Sequence, residues 1–180
     1  EKCVQIFFET FGVPALHLGI SGVLALRAIG RTTGLSIDMG HGQTWIIPVV
    51  EGNALHAHTN LARLGGADVT QNLQELLNAK GYSFNTTAER DLVKDIKEKT
   101  CYVALNESKE GVKGPALDKA YELPDGQVIT LNQERYRAPE ILFQGAESLA
   151  DKTVASLLRC GDHRQILARN VVLCGGNSMF

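Results

Sequence analysis

This sequence predicts an α/β fold, a helix-covered sheet with a mainly helical segment inserted into it. Three observations carry that reading. Two Ile- and Val-rich runs flank a glycine turn between Gly34 and Val50; two amphipathic helical stripes follow between Val69 and Lys99; and the apolar run Val171-Val172-Leu173 opens onto the pair Gly175-Gly176.

In chain order, Val4, Phe7, Phe8 and Phe11 share one helical face, which predicts a first helix stopped by Gly12. Pro14 begins an extended run, Ala15 to Ile20. Ser21 is expected to N-cap a short helix through Ala28, with Val23, Leu24 and Leu26 turned inward. The stretch GLSIDMGHGQTWIIPVV from Gly34 to Val50 is expected to form a tight β-hairpin. Gly40 and Gly42 tolerate positive φ and, lacking Cβ atoms, would let an anion approach the backbone N–H groups of the turn. Asp38, ending the first strand, could hold a hydrated Mg²⁺ through water. Plain turn chemistry explains the same residues when they are taken alone. Ala54 to His58 alternates like a strand, so His56 and His58 would share a face. With no third ligand, ordinary strand histidines are expected there rather than a metal pair.

Val69, Leu73, Leu76 and Leu77 form a helical stripe ending at Gly81, and Thr86-Thr87-Ala88-Glu89 is a capping box opening the next helix. That helix would bury Leu92, Val93 and Ile96 and expose Lys94, Asp95, Lys97, Glu98 and Lys99 as a solvated charged face. Asn106 to Pro115 reads as a loop. Tyr121 to Ile129, with Asp125-Gly126 at its turn, predicts a second hairpin. Helical stretches are expected over Glu134 to Phe143 and Leu149 to Arg159, then a short helix capped by Asp162, and last a buried strand at Val171 to Leu173. The run from Gly65 to Phe143 reads as the insertion.

The 180 residues, 44% hydrophobic and 21% charged, suffice for one domain with a real core or one domain carrying an insertion. A net charge of −2 leaves no basic surplus to drive nucleic-acid or membrane binding. Cys3, Cys101, Cys160 and Cys174 are scattered without C-x-x-C spacing, which suits reduced thiols. No apolar run is long enough to span a bilayer and no signal peptide is evident. Two glycosylation sequons, at Asn85 and Asn106, read as chance. A start at Glu1 and an end just after a glycine pair suggest a piece of something longer.

Several stretches taken together resemble the actin family. They are Phe8-Glu9-Thr10-Phe11, Gly30-Arg31-Thr32-Thr33-Gly34, Gly81 to Arg90, Asp95 to Lys99, Cys101 to Leu105, Tyr121 to Thr130, Glu134-Arg135 and Pro139-Glu140. The resemblance runs the whole chain and covers roughly the middle half of such a protein. It implies an actin-like, ribonuclease-H-like ATPase domain. Residues 1–29 would be a remnant of subdomain 1, residues 30–64 and 145–180 would form subdomain 3, and residues 65–144 the subdomain 4 insertion.

The resemblance also implies ATP or ADP with Mg²⁺ or Ca²⁺ held between two lobes. Gly40, His41, Gly42 and Gln43 would form a phosphate-binding hairpin, with Asp38 in the metal's water shell. Gly66 would lie close to the nucleotide, Lys94 near the ribose, and Lys97 and Glu98 at the purine pocket. Gly176, Asn177, Met179 and Phe180 would form the turn over the base and α-phosphate. Implied partners are other actin or actin-related subunits and actin-binding proteins, and the implied location is the cytoplasm and its cytoskeleton.

Departures from the family pattern modify these expectations. His41 stands where the family has a second Asp. The family's water-positioning Gln falls at Ser21 and its companion His at Trp45. Ser is too short, and an indole only donates, so hydrolysis is expected to be weak or absent if positioning dominates phosphoryl transfer. The family's first phosphate loop, with its lysine, has no counterpart in these residues, so ATP would be cradled from one side only. Gln144 to Ser148 is short and lacks the large apolar residue of the family's filament plug. A filament-forming ATPase, a kinase or chaperone ATPase of the same fold, and an interaction module without nucleotide are the alternative readings.

Overall fold

The computed structural model describes residues 1–180, the side chain of Ser108 apart. Helix α1 (Lys2–Gln5) runs into a π-helical turn at Ile6–Thr10, and α2 covers Ser21–Ala28. Strands β1 (Gly34–Met39) and β2 (Thr44–Val50) form the predicted hairpin, followed by β3 (Asn53–Ala54) and β4 (Asn60–Ala62). Helices α3 (Gly66–Ala79) and α4 (Thr87–Thr100) come next, then α5 (Glu107–Gly111). The second hairpin is β5 (Lys119–Glu122) with β6 (Val128–Leu131). The chain ends with α6 (Glu134–Arg137), α7 (Leu149–Arg159), α8 (Arg164–Ala168) and β7 (Val171–Cys174).

The main sheet has the order β3-β2-β1-β7, with β4 also pairing β2. β1 and β2 are antiparallel, with Ile37 opposite Ile46 and Asp38 opposite Trp45, whereas β7 lies parallel to β1. Pro48 survives inside a central strand because of a gap between neighbours. Its carbonyl side, where Leu55 N donates at 2.8 Å, falls between the pairings that β2 makes with β3 and β4. Strand alternation sorts the two faces. Leu35, Ile37, Met39 and Ile46 join Val69, Leu73, Leu77, Val93, Ile96, Ile129 and Leu131 in one core, and Ile47 and Val49 meet Val23 and Leu26 of α2 on the other side. The larger core therefore runs without a break from the hairpin into residues 65–144. Leu73 is fully buried in it. Leu73→Ala is expected to lower stability by about 3 kcal/mol in urea unfolding, from lost transfer energy plus the cavity left behind.

Helix starts follow local chemistry where it is complete. Thr86 accepts from Glu89 N at 3.3 Å while the Glu89 carboxylate accepts from Thr86 N and Asn85 N, both at 2.7 Å. Those backbone donors hold its pKa below the usual carboxylate value. At the second hairpin, Gly126 takes φ 82° and Asp125 accepts from Gln127 N.

Other expectations are corrected. The N-cap of α2 is Ile20, not Ser21, and it makes no side-chain bond; Leu24 is 47% exposed. Strand pairing ends at Ala54, and His56–His58 form a 3₁₀ turn, so the two histidines do not share a strand face. Asn106 to Pro115 is not a plain loop: Asn106 N-caps α5, accepting from Lys109 N, and a 3₁₀ turn begins at Gly114. Asp162 lies in a 3₁₀ turn before α8 and caps nothing. β7 is an edge strand rather than a buried one, with Val171 and Leu173 exposed, and Val4, Phe7, Phe8 and Phe11 are exposed as well. All four cysteines are free. Among the described residues, no helix is long and apolar enough to cross a membrane.

Candidate functional site

The hairpin turn, the start of α3, one face of α4 and the terminal turn after β7 converge at a single knot of hydrogen bonds. Gly40 O accepts from Gly66 N at 3.1 Å and from Asn177 Nδ2 at 2.7 Å, and His41 O accepts from Ala67 N at 2.7 Å. Lys97 Nζ reaches across to donate to Gly66 O at 3.0 Å. Glycines permit this approach. A Cβ on Gly66 would stand 2.7 Å from Asn177 Oδ1 and 3.2 Å from Lys97 Nζ, and one on Gly65 would stand 2.5 Å from His41 O. Neither Gly40 nor Gly42 takes a positive φ, so their value lies in small size rather than in turn handedness.

Above the knot opens a cavity of about 530 Å³ lined by Gly40, His41, Lys94, Lys97, Glu98, Cys101, Gly176, Asn177, Met179 and Phe180. Three segments far apart in the chain thus meet at one hollow, in the size range of small-molecule sites. Helical spacing puts Lys94, Lys97, Glu98 and Cys101 on one side of α4, at i, i+3, i+4 and i+7. Cys101 was the residue not anticipated, although that same spacing signals it. Burial pushes its thiol up to about 12, so it meets the cavity protonated and unreactive.

Lys97 does not belong to a solvated face. It is only 3% exposed, and desolvation lowers its pKa, opposed in part by nearby Glu98. Its one hydrogen-bond acceptor among the described residues is the Gly66 carbonyl. The amides at the start of α3 are already used, Gly66 N and Ala67 N by the hairpin carbonyls and Gly65 N by Asp68 Oδ2 at 2.8 Å. By contrast, the amides of His41, Gly42 and Gln43 find no protein acceptor among the described residues.

The remaining anticipated residues lie elsewhere. Gly66 does not line the cavity but accepts from Lys97 of its wall, and Gly42 and Gln43 are on the exposed hairpin turn, outside the lining. Asp38 is half-buried on β1 and does not line the cavity. Ser21 and Trp45 border a separate hollow of about 230 Å³ with Ile20, Ile47, Ala54, His56 and Thr59. The short connection Gln144 to Ser148 is tied down by Glu147, which accepts from Arg63 N at 2.8 Å and pairs with Lys152.

The family model described as Actin matches residues 1–180, the whole chain. With a mixed sheet covered by helices and a hairpin turn, an α4 face and a terminal glycine turn around one cavity, the chain belongs to the actin family.

Proposed function

We propose that this actin-family chain is a cytoskeletal structural protein that binds ATP or ADP in the cavity and hydrolyses it weakly or not at all. Lys97 is the observation that carries the reading. A buried ammonium with only a carbonyl for a partner is a costly arrangement, and an anion or a polar base in the cavity would relieve it. Lys94 and the unpaired turn amides add donors for phosphate and ribose oxygens. Met179 and Phe180 supply apolar surface for a purine.

Weak hydrolysis follows from the hollow that holds Ser21 and Trp45. Neither residue lines the cavity, and neither side chain can both orient a water and accept its proton. A nucleotide that binds only the folded state stabilises it by mass action, so binding retains a use without turnover. Partners of this reading are other actin-family subunits and actin-binding proteins. The exposed apolar residues Phe7, Phe11, Val171 and Leu173 are consistent with such contacts.

The Mg²⁺ or Ca²⁺ ion that accompanies the nucleotide in the resemblance is not matched by these side chains. Asp38 stands outside the cavity, whose wall carries one side-chain carboxylate, Glu98, on the same helix face as Lys94 and Lys97.

Calorimetric titration of the chain with ATP, followed by a phosphate-release assay, tests the proposal. Saturable binding is expected, with phosphate release on the order of 100-fold or more below that of a positioned-water ATPase. Absence of saturable heat favours an interaction module without nucleotide, and brisk release favours a filament-forming ATPase.

A further inference from the structure

We infer that the cavity takes its nucleotide as the metal-free anion, with this chain's own side chains replacing the divalent cation; the inference rests on the nucleotide-binding reading above. The ionisable groups on the cavity wall are His41, Lys94, Lys97, Glu98 and the protonated Cys101 thiol. Glu98 is the single side-chain carboxylate among them. It shares its helix face with two lysines, one of them buried, so a hard cation placed there would meet two ammonium groups.

Mg²⁺ and Ca²⁺ demand oxygen ligands, and Mg²⁺ is held by one or two carboxylates together with phosphate oxygens. The hairpin instead presents an imidazole at His41, a ligand type that hard cations do not favour. Asp38, the one carboxylate on the hairpin, is offset onto β1 beside Trp45 and Cys174 in the strand register. The wall is therefore arranged to neutralise phosphate charge directly, through ammonium groups and amide N–H donors, and no carboxylate on the hairpin turn repels a bare polyphosphate.

The chain is titrated with ATP in EDTA and, separately, in excess Mg²⁺, with calorimetry and the thermal unfolding midpoint as readouts. The dissociation constant in EDTA is expected to be within about threefold of that in Mg²⁺, or tighter. His41→Asp is expected to weaken binding in EDTA by about tenfold or more, because it returns a carboxylate to the turn, with Mg²⁺ restoring it. The unfolding midpoint of the ligand-free His41→Asp variant controls for folding. Binding by the unmodified chain only in Mg²⁺ overturns the inference and leaves nucleotide binding standing. An unaltered EDTA affinity in a folded His41→Asp variant overturns the part assigned to His41. No binding in either buffer overturns the nucleotide-binding reading, and this inference with it.

Discussion

Gly175→Ala is expected to cost about 3 kcal/mol of stability and to remove the nucleotide-dependent rise in the unfolding midpoint. Gly175 takes φ 86°, a conformation that an L side chain adopts only under strain. A Cβ there would also overlap Met39 O and stand 2.7 Å from Met39 C, and these are backbone atoms of the central strand that cannot swing aside. Relief requires the terminal turn to lift off β1, which breaks the Asn177 bond to Gly40 O and opens the cavity on one side. Gly176→Ala is the internal control, since its Cβ would meet nothing within 4 Å and its φ is not positive. Its stability should stay within about 0.5 kcal/mol of the parent. Urea unfolding followed by Trp45 fluorescence measures both variants. Equal midpoints for the two would show that the junction between turn and strand is loose.

Lys97→Met separates binding from folding. The expected result is a loss of ATP affinity of about 30- to 100-fold, with stability in the ligand-free chain within about 1 kcal/mol of the parent at neutral pH. The sign follows from the lowered pKa of Lys97. The folded state binds its proton less tightly than the unfolded state does. The parent therefore carries a charge-burial penalty below the lowered value, and stability is regained as pH rises from there toward the ordinary lysine range. Methionine carries no such penalty, so its stability profile should be flatter across that window. Calorimetry at neutral pH and denaturation at several alkaline pH values check both halves. A variant that binds ATP as the parent does removes Lys97 from the proposed site.

How much of this was legible in the residues differs from element to element. The first hairpin was readable because β2 is rich in β-branched residues and glycines mark the turn between the two apolar runs. The capping box at Thr86 and Glu89 was readable because all its donors and acceptors lie within four residues. Local signals failed where a long-range partner decides. Lys97 reads as one charge in a charged run, yet α3 crosses α4 there and Gly66 offers a carbonyl, so the ammonium is buried. Val171 and Leu173 read as core, yet β7 has a strand on one edge only. His56 and His58 alternate with apolar residues, yet β3 stops at Ala54 and the chain turns toward β4.

The sequence by itself determined that helices and strands alternate and that the chain has the actin-family pattern. Each of these resides in local spacing or in residue identity. Only the tertiary structure decided that His41, Lys97 and Gly176 border one cavity while Asp38, Ser21 and Trp45 do not. The physical reason is that β1 pairs in parallel with β7, so the carboxyl ends of both strands emerge at the same end of the sheet, facing the Lys94, Lys97 and Glu98 side of α4. Side chains one residue apart on those strands point to opposite faces, and membership of the site turns on that alternation as much as on residue type.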